Sequence, residues 1–130
     1  MPAPLAEGWL QQLAAELASV DLESEGIDAS DGVVQVLVGN APLESGALAG
    51  FYVEASDGCL SVHARRHRRP DMVLSGDYRD FLLVWQGELT LEAAYMSGRM
   101  KLEGDQVLLF DRWRPLLRSR QLREAWERLR

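Results

Sequence analysis

The sequence predicts an α+β fold, in which a five-stranded, mostly antiparallel sheet is covered on one face by helices. Segments that alternate between apolar and polar residues cluster in the middle of the chain, helical periodicity occurs at both ends, and one further alternating segment returns late. Strands grouped in this way, with helices outside them, are typical of a sheet with helices packed on one side. A length of 130 residues leaves room for one hydrophobic core, so residues 1–130 are expected to form a single domain.

The first predicted element is an amphipathic helix within residues 1–20. Its apolar side chains, among them Trp9, Leu13 and Leu17, recur at steps of three and four residues, which is the period of a helix that covers a core. Residues 21–32 are acidic and are interrupted by Gly26. A loop is therefore expected between this helix and the sheet.

Four strands are predicted next. Val34 and Val36 flank Gln35, and Phe51 and Val53 flank Tyr52, as in strands that bury one face. The dipeptide at positions 57 and 58, Asp-Gly, precedes a third strand at residues 59–65. Because both residues tolerate a positive φ, they predict a type I′ hairpin turn and hence an antiparallel meander. A fourth strand is expected at residues 72–75, after a basic loop.

Two short helices, a fifth strand and a closing helix complete the pattern. Asp77 and Thr90 are suitable N-caps, and Gly87 and Gly98 are suitable helix ends. Alternation returns at residues 100–103 and predicts the fifth strand. A final helix is expected at residues 119–130, with its apolar residues on one face.

A group of small and apolar residues in the second half of the chain resembles the core pattern of the sterol carrier protein 2 family. The residues that carry this resemblance are Gly87, Leu89, Ala94, Tyr95, Gly98, Met100, Leu102, Gly104 and Asp105. The similarity extends over about residues 30–118. Two features differ from the family: an additional acidic segment at the front, and an Arg-rich tail in place of a short apolar closing peptide.

The resemblance implies an elongated apolar cavity between sheet and helices, which holds a fatty acyl, sterol-like or polyprenyl quinone-type ligand. Alternation and helical phase select the side chains that face this space. The predicted ligand-binding residues are Val36, Phe51, Val53, Leu60, Val62, Met72, Leu74, Phe81, Trp85, Met96, Met100, Leu102, Leu108 and Phe110. For each of them, packing in a solid core is the alternative.

The function expected from this combination is a non-catalytic lipid carrier or presenter. The sequence lacks the nucleophile, zinc-protease, phosphate-loop and paired-cysteine motifs of common enzyme classes. No cofactor and no metal site is expected, because arginines surround His63 and His67 and would repel a cation. The alternative hypothesis is a solid-cored interaction or dimerisation module that acts through the Arg-rich C-terminal helix.

Charge is distributed unevenly along the chain, and this suggests two surfaces of contact. Residues 1–57 contain ten acidic and no basic residues, whereas residues 58–130 contain fourteen basic and ten acidic residues. A transient contact with an anionic membrane or a protein partner is therefore predicted for Arg65, Arg66, Arg68, Arg69, Trp113 and Trp126. Packing within the domain or in a homodimer is the alternative for the C-terminal helix. Nucleic acid is not an expected partner, because the net charge is −6.

A cytoplasmic location is expected. The apolar runs are too short to cross a bilayer, since about 20 apolar residues are needed. A single cysteine, Cys59, cannot form an internal disulfide, which agrees with a reducing compartment.

Overall fold

The secondary structure follows the predicted succession of elements. A computed structural model describes residues 8–27, 31–40, 49–105, 107–108, 111 and 113–129. In chain order the elements are helix α1 (Trp9–Ala18), a 3-10 turn (Glu23–Glu25), strands β1 (Gly32–Gly39), β2 (Ala49–Ser56), β3 (Cys59–His63) and β4 (Met72–Asp77), helices α2 (Tyr78–Trp85) and α3 (Leu91–Met96), strand β5 (Met100–Gly104), and helices α4 (Arg114–Leu117) and α5 (Arg120–Leu129).

The five strands form one sheet in the order β3-β2-β1-β4-β5. Three of the four pairings are antiparallel, and the central pair, β1 with β4, is parallel. Val34 lies opposite Val53 on one side and Met72 on the other, so these three side chains share one face of the sheet. The predicted five-stranded, mostly antiparallel sheet is confirmed.

The predicted hairpin between β2 and β3 is also confirmed. Ser56 pairs with Cys59 across the turn, which leaves two residues in the loop. Both of them, Asp57 and Gly58, have positive φ, at 53° and 77°. Two positive φ values in succession define the type I′ turn, whose twist matches that of the flanking strands.

The helices begin where the sequence predicts. A carboxylate oxygen of Asp77 accepts a hydrogen bond from the backbone N–H of Arg79 at 3.0 Å, and the hydroxyl of Thr90 accepts one from Ala93 at 3.0 Å. Each bond satisfies a backbone donor that the first turn of a helix leaves free. Hydrogen bonds from Asn40 and from the Arg79 backbone hold the pKa of Asp77 below its usual range.

The core lies between the inner face of the sheet and the helices. Helix α1 packs against β3 and α5, whereas α2 and α3 pack against the other half of the sheet. None of the helices within the described ranges has both the length and the hydropathy needed to cross a bilayer.

Helix α5 is held to the acidic front segment by polar contacts. The hydroxyl of Ser119 donates to Glu25 at 2.6 Å, and the backbone N–H of Arg120 donates to the same carboxylate at 2.9 Å. At the other end of the helix, Arg128 forms an ion pair with Glu16 at 2.8 Å. Part of the basic half of the chain therefore pairs with the acidic half inside the same molecule.

Candidate functional site

An apolar cavity of about 190 Å³, partly open to solvent, lies between the sheet and the helices. Among the described residues, every side chain in its wall belongs to Val, Leu, Met, Phe or Trp, and none of them is charged. Strands β1, β2, β3, β4 and β5 form one side, while α1, α2, α3, α4 and α5 contribute to the other. Such a space favours the transfer of an apolar group out of water.

Eight of the residues predicted to bind ligand line this cavity. They are Val36, Phe51, Val53, Leu60, Leu74, Phe81, Trp85 and Met100. Each of the five strands contributes at least one of these predicted side chains, but Val34 of β1, which also lines the cavity, was not among the predicted residues. These eight residues lie up to 64 positions apart in the sequence, from Val36 to Met100.

Four other predicted residues are placed inside or on the inner face without lining the cavity. Met72, Leu102 and Leu108 are buried in the core. Val62 of β3, which pairs with Val53 of β2, is half-buried. Leu108 packs over the start of β1, where a Cβ on Gly32 would lie 2.7 Å from its Cδ2 atom. These four side chains therefore belong to the packed core beside the cavity. Phe110 lies outside the described residues.

The predicted inward orientation of Met96 is wrong, because its side chain is 81% exposed. Helix α3 has only six residues and presents Ala94, which is fully buried, to the sheet. A residue two positions later is rotated by about 200° around the helix and must face solvent. The sequence places Met96 on this short helix, but it does not show which face of the helix meets the sheet.

The outward contact predicted for Trp113 and Trp126 is also incorrect. Trp113 is buried and lines the cavity, and Trp126 lines it with a partly buried ring. The apolar side of α5 therefore packs on its own domain, and the helix presents arginines to solvent. Periodicity alone identifies such a face but not what covers it.

All four tryptophans of the chain line the cavity. The ring centroids of Trp9 and Trp85 are 5.0 Å apart, and those of Trp85 and Trp126 are 4.0 Å apart. Trp9 is 1% exposed, and its indole Nε1 has no hydrogen-bond partner among the described residues. A buried indole N–H normally has an acceptor, so the Trp9 N–H is a polar group within this apolar wall that could bond to a ligand.

Sequence reasoning missed several wall residues that come from helices. They are Trp9, Leu13 and Leu17 from α1, Val84 from α2, Leu91 from α3, Leu116 from α4, and Leu122 and Trp126 from α5. Trp113, just before α4, and Val34 of β1 were missed as well. The three- and four-residue spacing of α1 already indicated a buried face, but this face was assigned to covering the sheet and not to the cavity.

The basic residues Arg65, Arg66, Arg68 and Arg69 lie on the opposite face of the sheet, in the loop between β3 and β4. All four are exposed. His63 and His67 both contact the ring of Tyr52, at centroid distances of 4.7 and 5.0 Å. Within the described parts of the chain, no group of three or more His, Cys, Asp and Glu residues could hold a metal ion.

The model of the SCP-2 sterol transfer family matches residues 10–111 of this sequence. A crystal structure of sterol carrier protein 2 superposes with a TM-score of 0.68 at 15% identity, over 96% of this chain and 98% of that one. Sterol carrier protein 2 like 2 from Aedes aegypti gives 0.62 at 22% identity, over 82% and 91%. A solution structure of its palmitated form gives 0.62 at 23%, over 80% and 86%. No curated protein matches the sequence.

Proposed function

Because this chain belongs to the SCP-2 sterol transfer family, we propose that it is a non-catalytic carrier or presenter of a lipid, which it holds in the cavity between sheet and helices. The proposal treats residues 1–130 as one lipid-binding domain that works in the cytoplasm without a cofactor. A contact with membrane or with a second copy is not needed for binding.

The observation that supports the proposal is an open space whose described wall residues are all apolar. An alkyl segment that loses about 200 Å² of apolar surface there would gain about 5 kcal/mol of gross driving force. Association and chain ordering oppose this gain, so this segment alone is expected to bind weakly, no tighter than about 0.2 mM. Such an affinity suits a carrier, because the ligand must also leave.

The size of the cavity indicates how a ligand enters. Its 190 Å³ is smaller than the roughly 300–1,000 Å³ of most small-molecule pockets. Part of the wall comes from Leu122 and Trp126 of α5 and from Leu116 of α4, which follow the family-matched residues 10–111. We infer that these two helices shift outward when a long chain enters. The five-stranded sheet is expected to keep its structure during this movement.

The eight predicted wall residues are proposed to contact the ligand, together with Trp9, Trp113 and Trp126. A fatty acyl chain is the first ligand to test, because the mosquito relative was solved in a palmitated form. Sterol-like and polyprenyl quinone-type molecules are tested next, since both have a large apolar body.

Tryptophan fluorescence tests the proposal directly, because all four indoles line the cavity. A fatty acid brominated in mid-chain is titrated into the protein, and saturable quenching is expected. Native mass spectrometry of protein purified from cells then identifies any lipid that it carries. If neither quenching nor a bound lipid is observed, the proposal fails.

Two variants test whether the ligand binds in the cavity. Val53→Phe adds a ring to the wall, and we expect acyl affinity to fall at least about tenfold as the open space is filled. Met96→Phe adds the same ring at a site that is 81% exposed and should leave the affinity unchanged. Circular dichroism confirms that both variants fold. Equal binding by folded Val53→Phe and wild type would contradict a ligand in this cavity.

A further inference from the structure

The outer face of the sheet carries two buried polar side chains. Gln35 and Tyr52 pair across β1 and β2 and lie on the face opposite the cavity, yet they are only 3% and 4% exposed. The loop of residues 64–71 covers them. Burying a polar side chain costs free energy unless its polar atoms form hydrogen bonds. The partners of Gln35 and Tyr52 therefore show how this loop is held in place.

Gln35 holds the middle of the loop. Its Nε2 donates to the carbonyl oxygen of Phe51 at 2.9 Å, and its Oε1 accepts from the backbone N–H of His67 at 2.7 Å. The same Nε2 lies 3.5 Å from the carbonyl oxygen of Arg65. One buried amide thus fixes the backbone on both sides of Arg66.

Tyr52 and Asp71 hold the loop at its two ends. The Arg65 guanidinium donates to the hydroxyl of Tyr52 at 3.3 Å, and the ring of Tyr52 lies between those of His63 and His67. Asp71 bonds Val33 twice, through its backbone N–H at 2.9 Å and its carboxylate at 2.8 Å. These hydrogen bonds therefore hold the loop in one arrangement on the sheet.

The anchored loop surrounds an open pocket of about 450 Å³, lined by Tyr52, His67 and the four arginines at positions 65, 66, 68 and 69. Among the described residues, no carboxylate forms an ion pair with any of these arginines. The ion pairs found there join Arg99 to Asp80 and Arg128 to Glu16, which are elsewhere. Within the described parts of the chain, these four positive charges in five residues therefore have no carboxylate partner.

We infer that this pocket, the arginine pocket, binds an anion of the phosphate class. Planar guanidinium groups present paired N–H donors that match phosphate oxygens, and four of them converge on one space. A general attraction of the whole protein for anions does not account for such binding, because its net charge is −6. The affinity must come from the local arrangement.

The arginine pocket and the apolar cavity lie on opposite faces of the sheet. Gln35 and Tyr52 face the pocket, whereas their neighbours Val36 and Phe51 face the cavity. A single ligand cannot fill both sites without crossing the sheet. The anion is therefore not the polar end of the proposed lipid ligand, and this inference stands or fails independently of the proposed function.

The phosphate can come from solution or from a lipid headgroup, and two measurements separate these sources. Pyrophosphate is titrated while amide NMR shifts of residues 64–71 are followed. Sedimentation with phosphatidylcholine vesicles, with and without about 20% phosphatidylglycerol, measures binding to headgroups. Saturable shifts support a soluble anion, and binding to phosphatidylglycerol vesicles supports a headgroup.

Substitutions test whether the anion binds in the arginine pocket. Arg66→Gln with Arg68→Gln is expected to weaken binding at least about tenfold in whichever assay is positive, since each lost charge-assisted contact weakens binding severalfold. Arg120→Gln with Arg123→Gln removes the same charge from exposed positions of α5 and should change it less than twofold. Gln35→Leu keeps all charges but releases the loop, and it should also weaken binding.

Three results would overturn the inference. They are the absence of binding in both assays, equal losses in the two double-arginine variants, and full binding by a folded Gln35→Leu protein. The first would show that no anion is bound, and the second that only overall charge matters. The third would show that the arrangement of the loop has no role.

Discussion

The indole Nε1 of Trp126 donates a hydrogen bond to the backbone carbonyl oxygen of Trp85 at 2.7 Å, and the two rings lie 4.0 Å apart. This contact joins the last helix to the middle of the chain over 41 positions. It closes one side of the apolar cavity with a residue that follows the family-matched residues 10–111.

Substitutions at Trp126 should separate the hydrogen bond from the packing. Trp126→Phe keeps a ring and loses the donor, so the free energy of unfolding is expected to fall by about 1 kcal/mol. Trp126→Ala also removes the ring and should cost about 2–4 kcal/mol. Urea unfolding followed by circular dichroism measures both values. A cost below about 0.5 kcal/mol for Trp126→Ala would mean that α5 is not docked.

Trp9 should favour ligands that carry a neutral oxygen. Its buried Nε1 has no acceptor among the described residues, and none of the described residues that line the cavity is charged. A ligand hydroxyl or carbonyl can accept this hydrogen bond, whereas a buried carboxylate would lose its hydration without a cationic partner. This prediction depends on the proposed function.

Trp9→Phe tests that preference with a pair of ligands. In competition with the brominated fatty acid, 1-decanol is expected to lose about three- to tenfold in affinity on substitution, and decane to lose little. The decane measurement controls for the smaller ring. Equal losses for both molecules would show that Trp9 contributes packing alone.

Glu25 should stabilise the docked α5 in a pH-dependent way. The hydrogen bond from the Ser119 hydroxyl, with smaller contributions from the Arg120 and Gln121 backbone, holds the pKa of Glu25 below its usual range. Because the folded-state pKa is lowered, this stabilisation is complete above the pKa of an unfolded glutamate, about 4.3. It is lost as the pH falls through the lower value of the folded state.

Glu25→Gln should therefore be less stable than wild type at pH 7, and the difference should shrink as the pH falls below about 4. Urea unfolding at pH 7, 5, 4 and 3 follows this difference. Glu88→Gln removes the same charge at an exposed glutamate and serves as the control. A stability difference for Glu25→Gln that stays constant with pH would contradict an ionised carboxylate as the acceptor.

Gly104 should tolerate no side chain. Its φ is +101°, and a Cβ there would overlap the carbonyl oxygen of Asp71, the residue just before β4. Gly104→Ala is expected to cost more than about 2 kcal/mol, because backbone strain and a backbone clash add. Gly26→Ala, where φ is +70° and nothing lies within 4 Å, should cost only about 1 kcal/mol. Thermal unfolding compares them, and equal costs would rule out the clash.

Local features of this chain were predictable because they depend on neighbouring residues. The Asp57-Gly58 turn and the caps at Asp77 and Thr90 require only a few residues with particular φ preferences or side-chain oxygens. The inward faces of the strands follow from a period of two, which holds for all five strands. Periodicity and residue type were enough to predict the fold class.

The site was predictable only in part, and Met72 and Leu74 show the reason. Both point inward from β4, but Met72 is fully buried in packing whereas Leu74 borders the cavity. The difference is made by helices from other parts of the chain. Met96 shows a related case, because its predicted helix is present but the packing of that helix turns Met96 toward solvent.

The sequence by itself determined the order of the elements, the inward face of each strand and the ends of the helices, because these depend on contacts within a few residues. Only the tertiary structure decided which inward side chains border an open space, that the apolar face of α5 covers its own domain, and that Gln35 is buried beneath an arginine-rich loop. Each of these outcomes depends on how segments distant in sequence are spaced, and a one-dimensional pattern carries no information about that spacing.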